Sequence, residues 1–270
     1  MVETLPGRVP AQVTAPGSRS VGGKMFGDDL PKRKIGVLTP LPVIDNGAYE
    51  FYRLVKDRVM LVMIPVGLAE FTDKDVARVF APIDTYLDKL MERRVDIVMQ
   101  SGVPLPALIG VAAHDRLIAH MANYTGRPAT SSILGVIEAA KHLGIARIAL
   151  ANKWTDGMNA TLGEFFARMN IAIEGVTSKV LAPSQFQRMS GEDNIELAYA
   201  LGRQALRDMP GADGLYIGGG AWLSQPVAEA LEAEFGRPVI TNASAMIRNV
   251  LTRLNCWTPI PGHGRLLGSV

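Results

Sequence analysis

Asp96-Ile-Val-Met-Gln-Ser-Gly102 returns 117 positions later as Asp213-Gly-Leu-Tyr-Ile-Gly-Gly219. Each copy is an acidic residue, a short apolar run and a glycine where the run stops. That is the pattern of a buried parallel strand giving way to a loop. Two further echoes keep the same order. Lys34-Ile-Gly-Val-Leu-Thr39 is answered after 113 positions by Arg147-Ile-Ala-Leu-Ala-Asn152, and Gly126-Arg-Pro128 after 110 by Gly236-Arg-Pro238. The offsets differ by no more than a loop's worth of insertion, so one unit has been duplicated.

Between the strands lie segments of helical period. Val59–Ile64 reads as a second strand. Val76 to Met91 reads as one helix with Val79, Phe80, Ile83, Tyr86, Leu87, Leu90 and Met91 on a single face. A further helix is expected near Leu108–Asn123, then a short strand over Arg127–Thr130. Such alternation predicts an α/β protein of two pseudo-symmetric, doubly wound, Rossmann-like parallel-sheet halves. The boundaries read as a flexible N-terminal arm over 1–33, a first half over 34–128 completed by 245–270, and a second half over 129–244. Open parallel sheets bind ligands beyond the carboxyl ends of their strands. Thr39, Gly102, Asn152 and Gly219 should therefore border a shared cleft.

Composition narrows the function classes. The 270 residues are 48% hydrophobic and the formal net charge is +2, which fits a globular core and offers no nucleic-acid surface. No apolar run reaches the roughly 18 residues of a membrane span. The lone cysteine, Cys256, excludes an internal disulfide and any mechanism needing two thiols, and fits a reducing cytoplasm. No His/Cys/Asp/Glu grouping has metal-ligand spacing. Gly218-Gly-Gly220 lacks the partner acid of a dinucleotide fingerprint, so no cofactor is expected. The partner is a small molecule, and self-association into a homo-oligomer is left open.

Several stretches resemble the aspartate/glutamate racemase superfamily, most closely its arylmalonate decarboxylase and maleate isomerase branch. They are Gly36-Val-Leu-Thr-Pro40 with Asn46 and Glu50, Ala149-Leu-Ala-Asn-Lys-Trp-Thr-Asp-Gly-Met-Asn159, Asp213–Gly220, Thr241-Asn-Ala-Ser244 and Pro261-Gly-His-Gly-Arg-Leu-Leu267. The resemblance implies proton chemistry beside a carboxylate, with cysteines at the duplicated strand ends. Here those two positions read as Gly102 and Gly219. Val103 and Pro104 stand where relatives carry small hydroxylated residues, and Trp154 where they carry a tyrosine. The implied pocket suits a small carboxylate with an apolar or aromatic substituent.

Other groups would then carry the chemistry. Lys153, at a strand end beside Trp154, is either a desolvated base or an exposed loop lysine. Glu50, one helical turn after Asn46, is a brace or a general acid. His263, in a Pro-Gly-His-Gly turn, could reach the cleft, and Asp45 is a weaker acid candidate. Substrate-binding candidates are Asn46, Gly102, Val103, Trp154, Gly218, Gly219, Gly220 and Asn242, the glycine run offering its amides as an anion nest. Gly219→Cys is expected to be sterically accepted. The first reading is a cofactor-independent lyase or isomerase without a thiol. The alternatives are a hydrolase or hydratase activating a water, and a non-catalytic ligand-binding protein.

Overall fold

In the computed structural model, which describes residues 31–44, 46–55, 59–219 and 221–270, the apolar runs form two four-stranded parallel sheets. In the first, β1 (Arg33–Thr39), β2 (Val59–Pro65), β3 (Ile97–Gln100) and β4 (Ala129–Ser131) stand in the order β2-β1-β3-β4. In the second, β5 (Arg147–Asn152), β6 (Ala172–Ser178), β7 (Gly214–Ile217) and β8 (Val239–Thr241) repeat it as β6-β5-β7-β8. Leu38 pairs with Gln100 in one sheet and Ala151 with Ile217 in the other. The duplicated strand ends are thus neighbours within each sheet. The α/β class and the two-sheet layout are those read from the echoes.

Helices clothe both faces of each sheet, which is why the central strands are mainly apolar and almost wholly buried between their ends. The first half carries α1 (Asn46–Leu54), α2 (Asp73–Phe80), α3 (Ile83–Glu92) and α4 (Pro104–Thr125). The helix expected over 76–91 is two helices. Pro82 breaks it: its ψ of 26° has left the helical region, and proline supplies no amide to continue the ladder. The helix expected over 108–123 runs longer, from 104 to 125. It is interrupted at Gly110, whose φ of 77° only glycine adopts readily. The second half carries α6 (Asp156–Ala167), the short α7 (Pro183–Phe186), α8 (Gly191–Asp208) and α9 (Gln225–Phe235).

The two remaining long helices change sides. α5 (Ser132–His142) follows β4 of the first sheet, yet Ile133, Val136 and Ala140 pack with Ile148 and Leu150 of the second. α10 (Asn242–Arg253) follows β8 of the second sheet, yet Ile247, Val250 and Leu251 pack with Ile35, Val37 and Met99 of the first. The helices meet at Gly135, where a Cβ would stand 3.2 Å from the Ala245 carbonyl oxygen. Behind them, Thr130 Oγ1 donates to Asn249 Oδ1 at 2.9 Å and Asn249 Nδ2 to Glu138 at 2.6 Å. A boundary at 128/129 therefore needs correction, because β4 pairs with β3 of the first sheet. Residues 31–270 form one unit. The expected arm falls, up to residue 30, outside the described residues, and Arg33 already belongs to β1.

Candidate active site

A cavity of about 80 Å³ opens at the carboxyl ends of both sheets. The first half contributes Thr39, Pro40, Ser101 and Gly102, and the second contributes Lys153, Trp154, Gly219 and Trp222. Asn242 and Met246 of α10 and Glu50 of α1 complete it, with Leu61, Met63 and Phe71 as apolar wall. The volume suits a small organic ligand rather than a single water.

Lys153 is the residue after β5. Asn152 Oδ1 accepts the Trp154 amide at 3.0 Å, and Asn152 Nδ2 donates to Asn159 Oδ1 at 2.7 Å, so the strand turns sharply. Ser178 Oγ donates to the Trp154 carbonyl at 2.7 Å and fixes the turn from the other side. Asn152 itself is buried structure and does not line the cavity. The turn sends the Lys153 side chain inward: only 2% of the residue is exposed and Nζ has no hydrogen-bond partner among the described residues. Nζ rests 4.0 Å from the Trp222 ring centroid and 4.6 Å from that of Phe186. Burial pulls the amine down from 10.5 to about 6, so it is largely neutral at neutral pH. The exposed-lysine alternative does not hold.

Glu50 is the complementary group. It is 4% exposed, and burial raises its carboxyl to about 7 against the opposing pull of the Gln225 and Ser224 amides. The Gln225 amide donates to Oε1 at 2.9 Å. Glu50 also lines a second cavity behind the first, shared with Tyr49, Arg53 and His263. His263 does not line the main cleft. Its carbonyl accepts from Gln225 Nε2 at 2.7 Å while Thr241 Oγ1 donates to Gln225 Oε1 at 2.5 Å. His263 thus belongs to the bracket that holds Glu50's partner.

The remaining candidates divide. Asn46 Nδ2 donates to the Ala221 carbonyl at 3.0 Å, tying α1 to the loop after β7. Asn242 lines the cleft, and Tyr216 Oη donates to its Oδ1 at 3.3 Å. Val103 is fully buried in the core, and Gly218 lies against the Trp154 ring, so neither faces the cavity. Gly220 and Asp45 lie outside the described residues. The nest also needs correction at two of its amides. Gly218 donates to the Ala151 carbonyl at 2.8 Å, and the Gly219 amide is turned to the Tyr216 hydroxyl.

Both strand-end glycines are closed to side chains. Gly102 has φ +82°, its amide donates to Ser132 Oγ at 2.9 Å, and a Cβ there would meet Pro40 Cγ at 2.6 Å. Gly219 has φ +133°, and a Cβ would stand 2.7 Å from Trp222 Cδ1 and nearer still to Nε1. The expectation that Gly219→Cys is sterically accepted fails on that ring. Trp222 and Phe186 are the site residues the sequence reading missed. Trp222 is fully buried and its indole N–H has no partner among the described residues; the available signal was an aromatic residue three positions beyond a strand-end glycine. Cys256 lies elsewhere, half-buried beside Trp257 against the first-half core. Among the described residues, no cluster of His, Cys, Asp and Glu is placed to hold a metal, and no helix is long and apolar enough to cross a membrane.

The geometry defines a class: pseudo-symmetric two-sheet α/β proteins with a strand-end cleft between the halves. Within it, the arylmalonate decarboxylase family model matches residues 50–267, and the chain belongs to that family. Arylmalonate decarboxylase of Bordetella bronchiseptica is 25% identical over 202 residues, covering 74% of this chain and 83% of that protein. A liganded glycine-to-cysteine, cysteine-to-serine variant of arylmalonate decarboxylase superposes with a TM-score of 0.77 at 22% identity, over 87% of this chain and 98% of that one. A cysteine-to-alanine variant of the Pseudomonas putida S16 maleate isomerase with maleate gives 0.75 at 18%, over 87% and 97%. A Nocardia farcinica maleate cis-trans isomerase with a covalently bound succinylcysteine intermediate gives 0.75 at 20%, over 87% and 98%. The structural likenesses establish the fold. The relatives are enzymes, and membership supports a decarboxylase- or isomerase-like activity.

Proposed function

We propose that this cleft decarboxylates or isomerises a small carboxylate with an apolar or aromatic substituent, without a thiol and without a cofactor. The observation that carries the reading is the meeting of Lys153 and Glu50 in one mostly apolar cavity, an unpartnered buried amine and a buried carboxyl. Such opposed displacements of an amine and an acid place both near neutrality, where proton transfer is most effective. Lys153 takes up a proton, or as a cation holds the substrate carboxylate. Glu50 delivers a proton to the carbon that loses carbon dioxide. Leu61, Met63 and Phe71 receive the substituent. The Nocardia relative holds its intermediate on a cysteine; here the only cysteine packs away from the cleft, which favours different groups in the same kind of pocket.

The test is carbon dioxide release and product formation from a panel of aryl- and alkylmalonates and maleate. Turnover should survive Cys256→Ala and fall at least about a hundredfold in Lys153→Met and Glu50→Gln. Loss of turnover in a folded Cys256→Ala protein, or full activity in both cleft variants, would sink the reading.

A further inference from the structure

Lys153 Nζ poses a problem of valence as well as of charge. It is buried, rests over the faces of Trp222 and Phe186, and has no hydrogen-bond partner among the described residues. An ammonium there has three N–H donors and nowhere to direct them. The ring faces attract its charge, but each buried donor without an acceptor keeps its full desolvation cost. Two other forms of the nitrogen fit better. A neutral amine leaves a free lone pair facing the cavity. An iminium keeps a positive charge for the two rings and has one N–H in place of three.

We propose that Lys153 is a nucleophile that forms an iminium with the ketone carbon of a β-oxo acid whose far substituent is apolar. This rests on the decarboxylating reading of the cleft and deepens it by naming a substrate class. The lone pair of Nζ adds to the ketone carbon. The carbinolamine oxygen takes a proton from Glu50 and leaves as water, forming the C=N bond. The bond to the carboxylate then breaks, its electron pair moves into the iminium, and carbon dioxide departs from a neutral enamine. Glu50, reprotonated from solvent, protonates the enamine carbon. Water then hydrolyses the second iminium, returning the amine, one proton and a methyl ketone. Two protons enter and one leaves, so one proton is consumed for each carbon dioxide released.

The surroundings suit these steps. The two rings stabilise the iminium charge in a site where no carboxylate pairs with Nζ. The unpartnered indole N–H of Trp222 is a donor for the substrate's oxygens. Burial holds the amine near 6, so the nucleophilic form prevails at neutral pH. An amine activated by apolar surroundings needs no metal or dedicated base.

The experiment incubates the full-length protein with benzoylacetate and sodium cyanoborohydride, then maps adducts by peptide mass spectrometry beside an acetophenone assay without reductant. The expected result is an adduct of the decarboxylated product on Lys153, faster acetophenone formation than in buffer, and loss of both in Lys153→Met. Removing a buried unpaired amine should not unfold the chain, and a melting curve of the variant verifies this. Catalysed acetophenone release without an adduct on Lys153, or with the adduct on another lysine, overturns the iminium while leaving a decarboxylase. No adduct and no acceleration, with malonates turned over, overturns the β-oxo acid class alone. Failure on β-oxo acids and malonates together overturns both this inference and the reading beneath it.

Discussion

The two halves share strand order and register, yet their cleft-facing ends have been finished differently. In the first half, the Gly102 amide is satisfied by Ser132 and its carbonyl accepts from Gln100 Nε2 at 2.9 Å, with Pro40 packed over the glycine. In the second half, two buried donors lining the same cavity, Lys153 Nζ and Trp222 Nε1, have no partner among the described residues. Buried polar groups are nearly always paired, and leaving them unpaired costs stability. Among the groups that line the cavity, the first half's strand end is settled and its chemistry is confined to Glu50 of α1, itself held by the Gln225 amide, whereas the second half's end bears the unpartnered donors. A duplicated fold can thus settle one strand end while the other keeps groups open to a ligand.

The sharpest way to break that comparison is Lys153→Met. If the second-half end is the reactive one, turnover falls at least about a hundredfold while stability rises. The folded amine titrates near 6 and the free one near 10.5, so the folded pKa is depressed. Below 6 both states are charged and the native state bears the full burial penalty, which fades as pH climbs to 10.5. The stability gained by methionine should accordingly be largest in acid and disappear in strong base, as melting curves across pH would reveal. An unchanged melting temperature at all pH values would mean that the amine finds water in solution. The wild-type rate should also be bell-shaped, needing Lys153 neutral above about 6 and Glu50 protonated below about 7.

A second pair of substitutions separates packing from chemistry. Gly102→Ala and Gly219→Ala both force a side chain into a positive-φ position against a neighbour, and each should cost about 1–3 kcal/mol in denaturant unfolding. Gly219→Ala must also displace Trp222, the ring under Lys153, so turnover and tryptophan fluorescence should change far more in that variant. Equal catalytic losses in the two would erase the distinction between the halves. The smallest effect is expected from Asn46→Ala, which removes the bond to the Ala221 carbonyl. It should lower stability by about 1 kcal/mol and raise KM with little change in kcat.

Much of the fold was legible because strand echoes such as Asp96–Gly102 and Asp213–Gly219 encode order and spacing together. Pro82 shows where periodicity misleads: apolar residues keep one face across a break that proline imposes on the backbone. The destination of α5 and α10 was not legible, since an apolar stripe does not say which sheet it meets. At the site, Lys153 was recognisable from its place at a strand end and Glu50 from its place one helical turn after Asn46 in a stretch that resembles the family, although exposure could not be read from one lysine in a loop. His263 was overread because a turn near the end of the chain has no fixed direction in sequence. Trp222 was missed because its only local mark is its spacing from Gly219, and burial of an indole N–H depends on what surrounds it in the fold.

The crossing of α5 and α10 also sets a timetable for the chain. The first sheet is complete in sequence by Ser131, but one of its faces is covered by Ile247, Val250 and Leu251. As the protein is synthesised, that face stays open until almost the whole chain exists. The second sheet meets the opposite circumstance, because α5 is made before any of its strands. Neither half can finish alone, so residues 31–270 should fold and unfold as a single cooperative step rather than as two successive ones.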